Sequence, residues 1–157
     1  MEYFVTNKIG RIFVLRLDPG DYVLESINEL IKREGIKDAV VISGIGTLDE
    51  CVLHMVTTTG YPPKEYFAKW KDKPLELVSI MGIIANGQPH LHAIVSDKEK
   101  AYAGHLEKGC RTLYLAEIVI VELKGLNLTR IPDKRNILRL KSMREQALKH
   151  SPSQDSS

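Results

Sequence analysis

The chain has 157 residues, 43% of them hydrophobic and 27% charged, with a formal net charge of +2. That composition suits one globular domain long enough to bury a core without staples. No apolar stretch approaches the roughly 20 residues a membrane helix needs, and the opening MEYFVTNKIGRIF lacks the pattern of a signal peptide, so a cytoplasmic protein is expected.

Arg11 to Leu17 is apolar and β-branched enough for a strand, which Asp18-Pro19-Gly20-Asp21 breaks. Asp21 is placed to cap a helix running to about Glu34, because its carboxylate can accept the free amides of the first turn. Val23, Ile27, Leu30 and Ile31 recur at helical spacing, and Gly35 ends the helix. Asp38 to Ile42 reads as a short strand, Ser43-Gly44-Ile45-Gly46 as a turn and Leu48 to Thr58 as another strand. Residues 59–74 contain Pro62, Pro63 and Pro74 and read as a long loop. Its Tyr61, Tyr66, Phe67 and Trp70 suit a lid or an interface, or fold back on their own domain. Leu75 to Asn86 and His90 to Ser96 form an antiparallel hairpin across Gly87-Gln88-Pro89. Thr112 to Leu123 is a further strand. Leu126 and Leu128 either continue the sheet or leave it, and residues 136–149 read as a strand then a helix, or as one helix. The polar tail 151–157 is expected to be disordered. One helix among many strands, without regular alternation, points to an α+β fold: an antiparallel sheet with a helix packed on it.

Cys51 and Cys110 are far apart in sequence and form no CxxC pattern, which favours two reduced thiols over a disulfide. Residues 124–149 hold eight basic side chains against Asp133 and Glu145, a net of +6 that leaves −4 for the rest. Such a segment is either a phosphate-binding surface or a solvated face, and its modest size favours the second.

Three of the five histidines fall within residues 90–105. On a strand, His90, His92 and Ile94 point one way, while Leu91, Ala93 and Val95 point to the core. His90 and His92 then stand side by side, as in a chelating H-x-H pair. The chain can leave the strand, turn through residues 96–100 and bring back His105, with Gly104 permitting close backbone approach. Three imidazoles suit zinc, with iron, nickel and copper also compatible, and leave a coordination position open for a small molecule. The competing reading has them bonded to neighbours or lining a subunit interface. His54 and His150 are not expected to be ligands. Glu117, inside a strand, is a candidate additional ligand or general base. Glu76 and Arg111 are the other groups available for acid–base work.

The segments GDYVLESI (20–27), VISGIGTL (41–48), LELVSIMG (75–82), PHLHAIVS (89–96), AGHLEKG (103–109) and LAEIVIVEL (115–123) follow in an order that resembles the PPC domain, the plants and prokaryotes conserved domain. The match runs over roughly residues 9–131. Ala103 replaces the first of two glycines usual before the third histidine. The resemblance implies a strongly bent antiparallel sheet with one main helix, assembled as a homotrimer. It divides the chain into a PPC-like domain (1–131), a basic C-terminal extension (132–150) and the disordered tail (151–157). The plant relatives bind the DNA minor groove through AT-hooks with an Arg-Gly-Arg-Pro core, which this chain lacks. Their Gly-Arg-Phe-Glu-Ile-Leu segment matches Lys73 to Val78 only loosely. The fold is also similar to that of acetolactate decarboxylase, whose zinc is held by an H-x-H pair and a later histidine. Carried over, those ligands are His90, His92 and His105. The expected function is that of a prokaryotic, trimeric PPC-domain protein carrying a three-histidine metal site and associating with DNA through its basic C-terminal segment. The alternative is a zinc-dependent enzyme acting on a small carbonyl or ester substrate. A cupin-like barrel ranks third, because Asp97 and Glu99 are poorly spaced for the glutamate that follows a cupin pair.

Overall fold

The computed structural model describes residues 1–143. Its elements run β1 (Ile9–Leu17), α1 (Val23–Glu34), β2 (Ala39–Val56), β3 (Glu65–Trp70), β4 (Leu75–Ala85), β5 (Gln88–Ser96), β6 (Ala101–Leu106), β7 (Arg111–Leu123), β8 (Leu128–Pro132) and β9 (Leu138–Ser142). All named strand pairings are antiparallel, so one helix and a mostly antiparallel sheet make up the α+β fold. No helix among the described residues is long and apolar enough to cross a membrane.

The helix buries Val23, Ile27, Leu30 and Ile31, the stripe its spacing predicts, and closes on Gly35 in the left-handed conformation, φ 64°. Its N-cap differs from expectation. Tyr22 occupies that position without a side-chain hydrogen bond, whereas the Asp21 carboxylate accepts the backbone N–H of Asp18 at 2.9 Å and so fastens the preceding turn. The helix packs on one face of the sheet, where Val41, Ile80, Ile84, Leu91, Val95, Ile118 and Ile120 complete one continuous core. Each such side chain taken fully out of water contributes about 1.5–3 kcal/mol.

The expected turn at Ser43 to Gly46 is absent. The chain continues as one 18-residue strand whose register against β7 shifts between Val41 and Ser43 and again between Gly46 and Leu48. These irregularities bend β2, as bulges do. Its first half lies between β7 and β4, and its second half pairs with β3 and β6. Residues 65–70 are thus a strand rather than loop, although prolines flank them. The sheet order is β1-β7-β2-β4-β5-β6, and β6 returns to the far half of β2 through Leu53–Leu106 and His54–His105. Four strands, β2, β4, β5 and β6, therefore close on themselves.

The chain leaves the sheet after β7 and forms the β8–β9 hairpin. A small second core of Ala85, Leu126 and Leu128, joined by Phe4, Ile83, Leu123 and Leu140, packs it down. Buried Asp38 accepts the backbone N–H of Asn86 at 3.2 Å and of Leu128 at 3.0 Å, tying β4's end to β8's start. Of the segment 136–149, residues 138–142 are strand; residues 144–149, His150 and the tail lie outside the described residues.

Candidate metal centre

Alternation along β5 buries Leu91, Ala93 and Val95 and turns His90 and His92 outward. The β5–β6 register then sets His105 directly opposite His92. The three ring centroids are 5.0 Å (His90–His105), 5.5 Å (His90–His92) and 5.5 Å (His92–His105) apart. One ring nitrogen from each falls within 4.8 Å of the others. Nitrogens bound to one tetrahedral zinc lie roughly 3.4 Å apart, a distance small side-chain rotations reach from here.

Two glycines make this closeness possible. Gly82 on β4 has φ 150°, and a Cβ there would overlap the His90 carbonyl oxygen. A Cβ on Gly104 would stand 2.8 Å from the His54 carbonyl oxygen, where β6 meets β2. Bulkier residues would push β5 and β6 outward and spread the rings.

Burial, with the neighbouring His105, Arg130 and His92, lowers the His90 pKa. Burial likewise lowers that of His105 and outweighs the opposing pull of Glu107. Both rings are therefore neutral near pH 7, the form that donates a lone pair to a cation. Two shallow hollows flank them. One, about 340 Å³, has His54, Met55 and Val56 on its wall; the other, about 300 Å³, is bounded by Arg130, Leu138 and Leu140.

Sequence reasoning missed three neighbours. His54 sits opposite His105 across β2 and β6, stacked on Phe67 at 4.8 Å and edge-on to His105 at 5.7 Å. It is not among the three whose ligand atoms lie within 4.8 Å of one another. Glu107 places Oε1 3.4 Å from His54 Nδ1 and 4.0 Å from His105 Nε2. Two-residue alternation after His105 is the signal that could have found it. Arg130 reaches over from β8 and donates to the carbonyls of Gln88 at 2.8 Å and Ile83 at 3.0 Å. No local pattern announces it, since the contact spans more than 40 residues.

The carboxylate singled out from the sequence is elsewhere. Glu117 is exposed on β7, opposite Arg16 and Ile45, with β2 and β4 between it and β5. Three strand spacings are about 14 Å, beyond reach of a shared ion within one subunit. Glu76 lies near the other end of β4, opposite Thr47 and Ser96. Arg111 is held by Asp49 through two hydrogen bonds of 2.9 Å and by Glu50 at 3.1 Å.

Comparison with known proteins finds the same architecture. A plant- and prokaryote-conserved protein from Pyrococcus horikoshii superimposes with a TM-score of 0.72 at 29% identity, over 88% of this chain and 98% of that one. A metal-containing protein from Archaeoglobus fulgidus gives a TM-score of 0.72 at 25% identity, covering 88% and 96%. A protein from Ralstonia eutropha named as a candidate DNA-binding protein gives 0.63 at 25%, covering 82% and 89%. Among curated sequences, the bifunctional protein GlmU of a Synechococcus strain is 27% identical over 124 residues, 78% of this chain. The chain spans only 18% of that relative's length. The family model of the Plants and Prokaryotes Conserved (PCC) domain matches residues 5–124, and the chain belongs to that family.

Proposed function

We propose that this chain is a prokaryotic, homotrimeric PPC-domain protein that binds a divalent cation through His90, His92 and His105. The convergence of three ligand atoms within 4.8 Å on an open surface carries the reading. Three neutral imidazoles are a zinc donor set, and the Archaeoglobus relative is named as metal-containing. In this reading residues 1–131 are the PPC-like domain and 132–150 a basic extension.

The trimer accounts for a sheet face that the helix does not cover. Ile42, Ile45, Val78 and Met81 are each at least half exposed, and contiguous apolar surface of this kind marks an interface. Metal analysis of untagged protein, together with the mass in solution, tests the proposal. About one zinc per chain and a mass of three chains are expected. Equal and negligible zinc in wild type and in His92→Ala would overturn the metal site, and a monomer at micromolar concentration would overturn the assembly.

DNA association through the basic C-terminal segment is a further part of the proposal, supported by the name of the Ralstonia relative. Several of its charges are already engaged: Arg139 with Asp133 at 2.9 Å and Lys141 with Glu2 at 2.5 Å. Phosphate-driven binding falls steeply with salt, so a gel shift at low salt that shows no complex removes this part.

The position of Glu107 favours a second reading, a zinc-dependent enzyme on a small carbonyl or ester substrate. A bound zinc would supply Lewis acidity toward the substrate carbonyl. Glu107, beside His105 and His54, is placed to accept or return a proton there. In this reading Glu107→Gln keeps the metal and loses turnover of a small ester.

A further inference from the structure

The two cysteines meet in space. Glu50 on β2 stands opposite Arg111, the first residue of β7, and Cys51 and Cys110 are the residues next to that pair, Cys110 in the turn that precedes β7. Their sulfurs are 3.7 Å apart, both thiols are free, and both side chains are fully buried.

We propose that Cys51 and Cys110 form a redox-active dithiol that a peroxide converts reversibly to an intramolecular disulfide. The site has a polar frame that a purely apolar pair would not need. The Val52 backbone N–H donates to Cys110 Sγ at 3.3 Å, and the Cys110 thiol reaches the Val52 and Glu107 carbonyls at 3.5 and 3.4 Å. Hydrogen bonding to Cys51 pulls the Cys110 thiol down, and bonding with Cys110 together with burial pushes Cys51 up. The Val52 N–H aimed at Cys110 Sγ stabilises a thiolate there, and among the described residues no backbone N–H donates to Cys51 Sγ, so Cys110 is the attacking thiolate and Cys51 the resolving thiol.

Access comes through the turn between β6 and β7. It is fastened by the Gly109 N–H on Glu25 Oε1 at 3.0 Å and the Glu107 N–H on the Val52 carbonyl at 3.2 Å. The second Glu25 carboxylate oxygen is buried without a partner. The Val23 N–H also donates to the Cys110 carbonyl at 2.9 Å; breaking these hydrogen bonds opens the turn locally, and hydrogen peroxide is small enough to enter. The Cys110 thiolate takes one peroxide oxygen as a sulfenic acid and releases hydroxide. Cys51 sulfur then attacks the sulfenic sulfur, and water leaves. Two thiols and one peroxide give one disulfide and two waters, with two electrons passing to the peroxide. The new bond would tie the second half of β2 to the segment carrying Glu107, beside His54 and His105.

The folded full-length protein, freed of metal, is treated with stoichiometric hydrogen peroxide and then alkylated in denaturant. Both thiols should vanish together, the chain should lose about 2 Da, and a fragment pair joining Cys51 to Cys110 should appear. A thiol reductant should restore both. Cys51→Ser should instead stop at a sulfenic acid trapped by a dimedone-type reagent. If the folded chain keeps both thiols while the urea-unfolded chain is oxidised, the proposal fails. It also fails if oxidation yields sulfinic acid or disulfide-linked dimers in place of the internal bond.

Discussion

His92 on β5 and His105 on β6 are directly opposed across one antiparallel ladder, with their rings edge to face and 5.5 Å apart. Neither residue needs a flexible loop to meet the other, because both hang from paired strands whose inner faces are fixed in the core. A site of this kind is held by the sheet, as a preorganised ligand set requires.

Replacing one of the three histidines should therefore remove metal without unfolding the protein. The His90 and His92 rings are exposed and that of His105 is half-buried, so His92→Ala is expected to change stability by less than about 1 kcal/mol and His105→Ala by somewhat more. Zinc affinity should fall by at least about tenfold to a hundredfold, since even outer partners of a ligand cost that much. His54→Ala should retain the metal, because His54 lies beside the group and not in it. Titration with a chromophoric chelator checks all three, and equal losses for His54 and His92 would contradict the geometry.

Gly82 should be the most sensitive glycine near the site. An added Cβ meets the His90 backbone, which cannot swing away as a side chain does. Gly82→Ala is expected to destabilise the fold by about 2–4 kcal/mol, combining overpacking with backbone strain. Gly60→Ala, where the added Cβ meets open space, should be close to neutral. Urea denaturation of the pair measures the difference.

The hairpin behind the site depends on Asp38. Its carboxylate accepts the N–H of buried Leu128, which would otherwise have no partner, and that of Asn86 at the end of β4. Asp38→Ala should cost roughly 2–4 kcal/mol, whereas Asp38→Asn should lose less. Hydrogen exchange should locate the damage in residues 126–132 and 138–142, around the second core.

Local pattern made much of this structure legible, and long-range pairing hid the rest. Period-two alternation told which way His90 and His92 point, and helical spacing found the buried face of α1. Alternation gives a side chain's face but not its strand's place in the sheet. Glu117 therefore looked available for the site although β2 and β4 intervene, and Glu107 was overlooked. The glycines at 44 and 46 read as a turn because glycine permits one. In the sheet they permit close packing instead, Gly44 against Ile80 and Gly46 against Ala116. Prolines around residues 59–74 masked β3, whose partner is the second half of β2. The meeting of Cys51 with Cys110 depends on where the turn before β7 lands against β2, a contact across 59 residues that no short window of sequence contains.

The stability of the fold should fall in acid, with one buried carboxylate as an identifiable cause. Glu122 is 3% exposed and takes hydrogen bonds from the Arg11 backbone N–H, Nε and Nη2, each at 2.9 Å. The Arg11 side chain, assisted by Lys124 at 3.0 Å, holds the Glu122 pKa down at about 2 against an ordinary 4.5. A carboxyl lowered on folding stabilises the native state above its unfolded pKa. That contribution is lost as pH falls from the ordinary carboxylate range to about 2. Arg11 is half exposed to water, so solvent screening limits the amount to roughly 1–3 kcal/mol. Glu122→Gln should lower stability at pH 7 by about that much and flatten its decline between about pH 5 and pH 2.5. Guanidinium melts of both proteins across that range read the difference directly, and parallel declines would show that other carboxylates carry the acid sensitivity.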